Sequence, residues 1–141
     1  MIWKKLLDEG KIQTKSVSRA EVEAVLAKAQ KTLRSAGHLL EEDEESAYQL
    51  AYEAMLIGGR ALMFSCGLKP RSVGAHKITV EFCEIFLGEK YKLFIEKLDR
   101  ARKKRHYLMY GIGQIISSTE AGNLIETAGE FLSIIWKNID N

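Results

Sequence analysis

Apolar residues recur at steps of three and four positions along most of the chain. A helix turns once in about 3.6 residues, so this spacing gathers them on one helix face. The pattern predicts a short N-terminal helix and five long helices, over residues 19–35, 42–65, 73–87 and 89–110 and from residue 118 onward. Residues 10–18 show no period and are predicted to be a connector. No segment has the alternation typical of a strand.

Residues that start and stop helices stand at several predicted ends. Ser18 with Glu21, and Ser117 with Glu120, have the spacing of a capping box, in which each residue bonds a backbone N–H of the other. Gly37 is predicted to end the first long helix, because glycine is common just after a helix.

The composition agrees with a helical protein. Of the 141 residues, 46% are apolar and 28% charged, and one is proline. A β-sandwich needs more frequent turn residues, and a disordered chain has fewer apolar ones. We therefore predict an all-α fold, an up-and-down antiparallel bundle of four to five helices. It is expected to form a single domain over residues 1–141, with residues 1–17 as an N-terminal extension.

The cysteines and histidines do not have the spacing of metal ligands. Cys66 and Cys83 form no CxxC pair, and the histidines form no HxxxH pair. We expect two buried free thiols, no metal and no cofactor. No apolar run is long enough for a signal peptide or a membrane span, so a cytoplasmic protein is expected.

Charge is unevenly distributed along a chain whose net charge is only +2. Residues 41–45 are all acidic and suit the start of a helix, where the backbone dipole favours negative charge. Residues 97–105 hold six basic residues and one acidic residue, a local charge of 6 − 1 = +5.

Two arginines interrupt the apolar stripe of the fourth long helix. Arg105 lies on both apolar rows of this helix and Arg102 on one of them, in rows that continue to Ile112. A guanidinium cannot lose its charge, so facing a dry core is costly unless it is paired. Either these arginines face a groove or a second subunit, or they pair with buried carboxylates such as Glu53.

A histidine and a tyrosine extend the face that carries these arginines. His106 is four residues after Arg102, and Tyr110 is four residues after His106. Arginine binds phosphate with a bidentate fork, histidine moves protons near neutral pH, and tyrosine can stack on a base. The set suits phosphate chemistry, although a solvated basic face with one paired arginine is the alternative.

Other candidates outside this helix are weaker. His76 is expected to contact backbone at the start of the third long helix. Tyr48 and Tyr52 share a helix face and are expected to pack in the core, with base stacking as the alternative.

Three segments together resemble the HEPN domain family. They are an alanine-rich helix that ends at glycine, a following helix that begins near "HK", and an arginine-rich helix that ends in Tyr-Gly, with "AGEFL" in the last helix. In this sequence they read "AYQLAYEAMLIGGRALMFSCGL", "AHKITVEFCEIFLG" and "DRARKKRHYLMYG". The resemblance covers about three-quarters of the chain and implies a four- or five-helix bundle, usually a homodimer.

The resemblance also implies a motif: an arginine, a polar neighbour, and a histidine four to six residues after the arginine. Arg105 and His106 fit its start, and Tyr110 stands where the histidine is expected. A second alignment takes Arg100 and His106, with Ala101 as the neighbour. The motif is degenerate in both alignments.

From the resemblance, a catalytic group of Arg105, His106 and Tyr110 is expected, with Arg100, Arg102 and Lys103 binding phosphate. Many family members are metal-independent endoribonucleases, often the toxins of toxin–antitoxin systems. RNA or a nucleotide is the implied ligand, and a minimal nucleotidyltransferase a possible antitoxin partner. The alternative is a catalytically inactive HEPN module that partners such a nucleotidyltransferase.

Overall fold

The described part of the chain folds as a bundle of helices with one small sheet. The computed structural model describes residues 1–110 and 116–139, so Gly111, which ends the arginine-rich segment, and Ile112, at which the apolar rows end, lie outside the described residues. The elements, in order, are α1 (Lys4–Asp8), β1 (Ile12–Thr14), α2 (Arg19–Leu39), α3 (Glu44–Ser65), β2 (Leu68–Pro70), α4 (Ala75–Leu87), a 3-10 turn (Glu89–Tyr91), α5 (Lys92–Tyr110) and α6 (Ser118–Ile139). The predicted all-α fold is confirmed.

The helix α3 lies at the centre of the bundle. It packs against α2, α4, α5 and α6, and 13 of its 22 residues are buried. Its sequence explains this position, because alanines and glycines alternate with larger apolar residues and allow neighbours to approach on several sides. α2 and α6 also contact each other, so α2, α3 and α6 form the main body and α4 and α5 pack along the rest of α3.

Two glycines set the closest approaches to α3. A Cβ atom at Gly58 would lie 2.5 Å from Leu132 Cδ2 on α6. A Cβ atom at Gly59 would lie 2.9 Å from Thr79 Cγ2 and 3.0 Å from Cys83 Sγ, both on α4. At each glycine, the neighbouring helix therefore occupies the space that a side chain would fill.

The small antiparallel sheet was not predicted from the sequence. β1 pairs with β2 in the register Ile12 with Pro70 and Thr14 with Leu68. Each strand has three residues, which is too short for an alternating pattern to be visible. Both strands are edge strands, where a proline is tolerated because one side needs no ladder hydrogen bond.

The N-terminal residues 1–17, which include β1, also contact α4. The Trp3 ring lies 5.7 Å from the ring of Phe82 and stacks on Phe86 at 6.0 Å, between centroids. Lys11 Nζ lies 3.2 Å from Glu81 Oε2. These contacts hold the extension against the outer face of the bundle.

Several helix ends differ from the predicted ones. The prediction that Gly37 ends the first long helix is wrong, since α2 continues to Leu39. Gly37 has a negative φ and stays helical, because the next apolar residues, Leu39 and Leu40, still pack on the core. The fourth long helix begins with a 3-10 turn at Glu89, and its α-helical part begins at Lys92.

The predicted capping box at Ser18 forms completely, whereas the one at Ser117 has only one of its two hydrogen bonds. Ser18 Oγ accepts from the Glu21 backbone N–H at 3.1 Å, and the Glu21 carboxylate accepts from the Ser18 N–H at 3.3 Å. Ser117 Oγ accepts from the Glu120 N–H at 3.0 Å. The Glu120 carboxylate instead binds Lys104 on α5, so it joins two helices rather than capping one.

Both cysteines are free, as predicted. Cys83 is completely buried, and burial raises the pKa of its thiol to about 12. Cys66 is only half-buried, so the expectation of burial was wrong for this residue, which follows the end of α3.

In the described ranges, no helix combines the length and apolar character that a membrane span requires.

The glycine contacts predict opposite effects for one substitution at two positions. Gly59→Ala should lower the free energy of unfolding by about 1–3 kcal/mol, because the new methyl group meets Thr79 and Cys83 in a filled interface. Gly37→Ala is the matched control. It has no atom within 4 Å of its added Cβ and should stabilise the protein by about 0.5–1 kcal/mol. Chemical denaturation measures both, and destabilisation by Gly37→Ala would contradict the assignment of this residue to α2.

Candidate functional site

The C-terminal half of α5 leaves the core. The buried residues of α5 are Ile95, Leu98 and Ala101, and from Arg102 to Tyr110 no side chain is fully buried. The interruption of the apolar stripe therefore marks the point beyond which α5 has no fully buried residue, while Leu108 still packs partly against the core.

A groove lies beside this part of α5, where the first turn of α4 approaches it. Its volume is about 490 Å³, and it is lined by His76, Arg102, Lys103, Arg105, His106 and Tyr107. None of these lining residues is a carboxylate, so the groove favours an anion. We call it the basic groove.

Arg105 is one of the cations that line the basic groove. It is half-buried, and its Cζ lies 6.0 Å from the centroid of the Tyr52 ring, a cation–π contact. Within the described ranges no carboxylate lies within ion-pair distance of Arg105. Glu53 forms no such pair with Arg102 or Arg105 either. Of the two arrangements open at the sequence level, Arg105 adopts the one that faces a groove.

Arg102 and Lys103 share one carboxylate at the rim of the groove. Arg102 Nη2 lies 3.0 Å from Asp99 Oδ1, and Lys103 Nζ lies 3.1 Å from Asp99 Oδ2. Burial opposes ionisation of Asp99, but the hydrogen bonds from Lys103 and Arg102 outweigh it and lower the pKa of the carboxyl group. These two cations are partly neutralised, so Arg105 contributes the least compensated charge.

Arg100 lies on another side of α5. It lines a groove of about 390 Å³ with Tyr48, Lys97 and several acidic residues of α6, among them Glu120. Arg100 and His106 therefore line different grooves, so the second alignment does not place its arginine and its histidine in one groove. Arg105 and His106 line the same groove.

His106 and Tyr110 contact each other at the exposed end of α5. Their ring centroids lie 5.0 Å apart with the planes tilted by 48°. Tyr110 is 76% exposed and Tyr107 58% exposed. Both tyrosines therefore present a free ring face next to the basic groove.

The sequence did not assign the contact between His76 and Tyr52. His76 Nδ1 lies 3.0 Å from the Tyr52 hydroxyl, so the expectation that His76 contacts backbone was wrong. Tyr52 is completely buried in α3 and Tyr48 nearly so, as their predicted core positions require. One feature of the sequence could have indicated this contact. Tyr52 was predicted to lie in the core, and a buried tyrosine hydroxyl normally needs a hydrogen-bond partner.

The surroundings of His76 favour the neutral form of its imidazole. Burial is the largest cause of a lowered pKa for His76, followed by the positive charges of Arg105 and Arg60. Glu53 opposes them, and Arg102 adds a smaller effect in their direction. Burial also raises the pKa of Tyr52 well above its usual range, so its hydroxyl stays protonated.

The model of one domain family matches residues 22–139, and its description is "HEPN domain". The chain belongs to the HEPN domain family. The match begins within α2, covers the other long helices and includes every residue that lines the basic groove. At family level it supports a helical domain related to nucleotides or RNA. No curated protein matches the chain in sequence.

The lowered pKa of His76 predicts how the stability of this HEPN domain depends on pH. As the pH falls, the unfolded chain binds the histidine proton first, so the contribution of His76 is complete above pH 6.5 and is lost as the pH falls through its lower folded pKa. We expect the denaturant concentration at which half of the protein is unfolded to decrease as the pH is lowered from about 7.5 to about 5.5. This pH range lies above the one in which carboxylates titrate.

His76→Gln should reduce this pH dependence, whereas His38→Gln, at an exposed residue of α2, should leave it in place. Equilibrium denaturation at several pH values measures the effect. An unchanged pH dependence in His76→Gln would contradict the assigned environment of His76.

Proposed function

We propose that this HEPN domain binds RNA through a phosphate group in the basic groove and acts in the cytoplasm as the metal-independent endoribonuclease toxin of a toxin–antitoxin system. The observation that carries the proposal is Arg105. It is a half-buried guanidinium that lines an open groove, and the described part of the chain offers it no ion-pair partner.

An anion in the groove would compensate this charge. Arginine binds a phosphate through two parallel hydrogen bonds, and such charge-assisted bonds are stronger than neutral ones. Partial burial of Arg105 also reduces the screening by water, which strengthens the attraction. Arg102 and Lys103, shared with Asp99 at the rim, add positive charge where neighbouring phosphates of a strand would pass.

The exposed aromatic rings favour a single strand of RNA over a lone phosphate. Tyr107 and Tyr110 are both more than half exposed and contact His106 at the edge of the groove. Bases of a single strand stack on such rings, whereas the bases of a duplex stack on each other. A phosphate on Arg105 would bring the adjoining bases near these tyrosines.

Cleavage would follow from these groups without a metal. The RNA 2′-hydroxyl attacks the adjacent phosphorus, the bond to the 5′-oxygen breaks, and a 2′,3′-cyclic phosphate and a 5′-hydroxyl result. His106 takes the proton of the 2′-hydroxyl as the new P–O bond forms and gives this proton to the 5′-oxygen as the old bond breaks. Arg105 stabilises the charge on the phosphate oxygens, and Tyr110 positions the substrate.

The alternative function is a catalytically inactive HEPN module that partners a minimal nucleotidyltransferase. The observation in its favour is Tyr110, which stands where the motif implied by the resemblance has its histidine and is exposed at the tip of α5. In this alternative the same groove binds a nucleotide or an acidic surface of the partner without turnover.

RNA binding should depend on Arg105. Arg105→Ala is expected to weaken binding of a fluorescein-labelled single-stranded oligoribonucleotide by about tenfold or more, because a charged hydrogen-bond donor is lost. The slope of log affinity against log salt concentration should also fall by about 0.7. The matched control is Arg34→Ala, which removes the same charge from an exposed residue of α2 that lines separate grooves. Fluorescence anisotropy measures both, and equal losses would exclude the basic groove as the site.

A cleavage assay in the presence of a chelator separates the two functions. The ribonuclease is supported if the wild-type protein cleaves RNA and His106→Ala binds it without cleaving. Binding without cleavage by the wild-type protein supports the inactive module.

We also propose that the protein is a homodimer. Large apolar or aromatic side chains are exposed along α5 at both of its ends, namely Leu93, Tyr107, Met109 and Tyr110. A second copy that covers Leu93 and Met109, and leaves the rings of Tyr107 and Tyr110 open, would bury part of this surface and bring two basic grooves together. Sedimentation equilibrium should give twice the chain mass of 15.9 kDa. A mass of one chain at micromolar concentration would refute the dimer.

A further inference from the structure

The basic groove contains a second histidine, His76, which comes from α4 rather than α5. Its ring lines the groove, and its Nδ1 atom is 3.0 Å from the buried Tyr52 hydroxyl. Because Nδ1 is directed at Tyr52, Nε2 is the ring nitrogen left for the groove. The two histidines of the groove therefore differ. His106 is exposed at the surface, whereas His76 is hydrogen-bonded to a buried residue of α3.

The hydrogen bond that the Tyr52 hydroxyl must make indicates which nitrogen of His76 carries the proton. Tyr52 is completely buried, and in the described part of the chain its hydroxyl has no other hydrogen-bond partner than His76. A buried hydroxyl hydrogen without an acceptor costs about 1–3 kcal/mol. The Tyr52 hydroxyl therefore donates to Nδ1, and the ring proton resides on Nε2.

The charges around His76 favour this neutral form. Arg102 and Arg105 on α5 and Arg60 on α3 oppose a positive charge on the ring, and Glu53 on α3 offsets them in part. Lys103 and His106 line the same groove. With its proton on Nε2, a neutral imidazole has no lone pair directed at the groove, so His76 is a hydrogen-bond donor there and not a base.

Tyr52 also connects His76 to Arg105. The Tyr52 ring lies 6.0 Å from the His76 ring and 6.0 Å from Arg105 Cζ, so one buried side chain contacts both groove residues. This arrangement places the His76 ring and the Arg105 guanidinium next to the same buried tyrosine before any ligand binds.

We propose that His76 is a further binding residue of the basic groove, a neutral Nε2–H donor to an oxygen of the RNA phosphate that Arg105 holds, and that Tyr52 is its positioning residue. This inference rests on the proposed RNA binding. It assigns separate tasks to the two histidines, because His106 exchanges a proton while His76 only donates a hydrogen bond. The proposed site then consists of residues from three helices, α3, α4 and α5.

Two substitutions of His76 distinguish the donor from a structural residue. The amide nitrogen of glutamine can occupy the place of Nε2, whereas that of asparagine reaches only the place of Nδ1. We expect His76→Gln to retain most of the affinity for the labelled oligoribonucleotide, and His76→Asn to lose about tenfold, as for a hydrogen bond to a charged group. His38→Asn, at an exposed histidine of α2, is the matched control, and thermal unfolding by circular dichroism verifies that each variant is folded.

Nitrogen-15 NMR of the histidine rings tests the tautomer without any RNA. In the free wild-type protein at neutral pH, the proton of His76 should reside on Nε2. In Tyr52→Phe both tautomers should appear, and the affinity for RNA should fall towards that of His76→Asn. A proton on Nδ1 in the wild-type protein would overturn the inference.

The binding results separate this inference from the function on which it rests. If Arg105→Ala weakens binding and His76→Asn does not, the basic groove is retained and the role of His76 is refuted. Equal losses in His76→Asn and His76→Gln also refute the donor. If neither Arg105→Ala nor His76→Asn changes binding, the RNA site itself lies elsewhere.

Discussion

The bundle depends on the close packing of other helices around α3. A helix that is covered on several sides needs small residues wherever a neighbour approaches closely, and Gly58 and Gly59 provide them towards α6 and α4. Their low helix propensity is a cost of roughly 1 kcal/mol each, which packing must offset. Since α4 and α5 are both placed by α3, the position of the basic groove between them follows from the same packing.

Within this helix, Tyr52 is the exception that connects stability to the site. Its ring fills the core, but its hydroxyl cannot be left without a partner in an apolar interior. His76 supplies that partner, and Arg105 covers the ring face. A residue that would otherwise only pack in the core therefore orients two groups that face solvent. The positive charges gathered around it disfavour protonation of His76 and favour an anion in the groove.

The period of apolar residues was sufficient to find the long helices, since each must bury one face. Local signals worked where the chemistry is local, as in the Ser18 capping box. They failed where distant contacts decide the outcome. Gly37 remains helical because the residues after it pack on the core, and the strands β1 and β2 exist only because each pairs with the other. A strand of three residues leaves no period to detect.

For the site, the order of residues along α5 established that Arg102, Arg105 and His106 share a region of one helix, because helical geometry depends only on spacing. It could not show that Arg100 lines a different groove, that Asp99 neutralises part of the charge, or that Arg105 has no carboxylate partner among the described residues. It also could not join His76 and Tyr52 to this helix. Spacing specifies the neighbours of a residue on its own helix, whereas contacts between helices depend on how α3, α4 and α5 pack, which no single segment encodes.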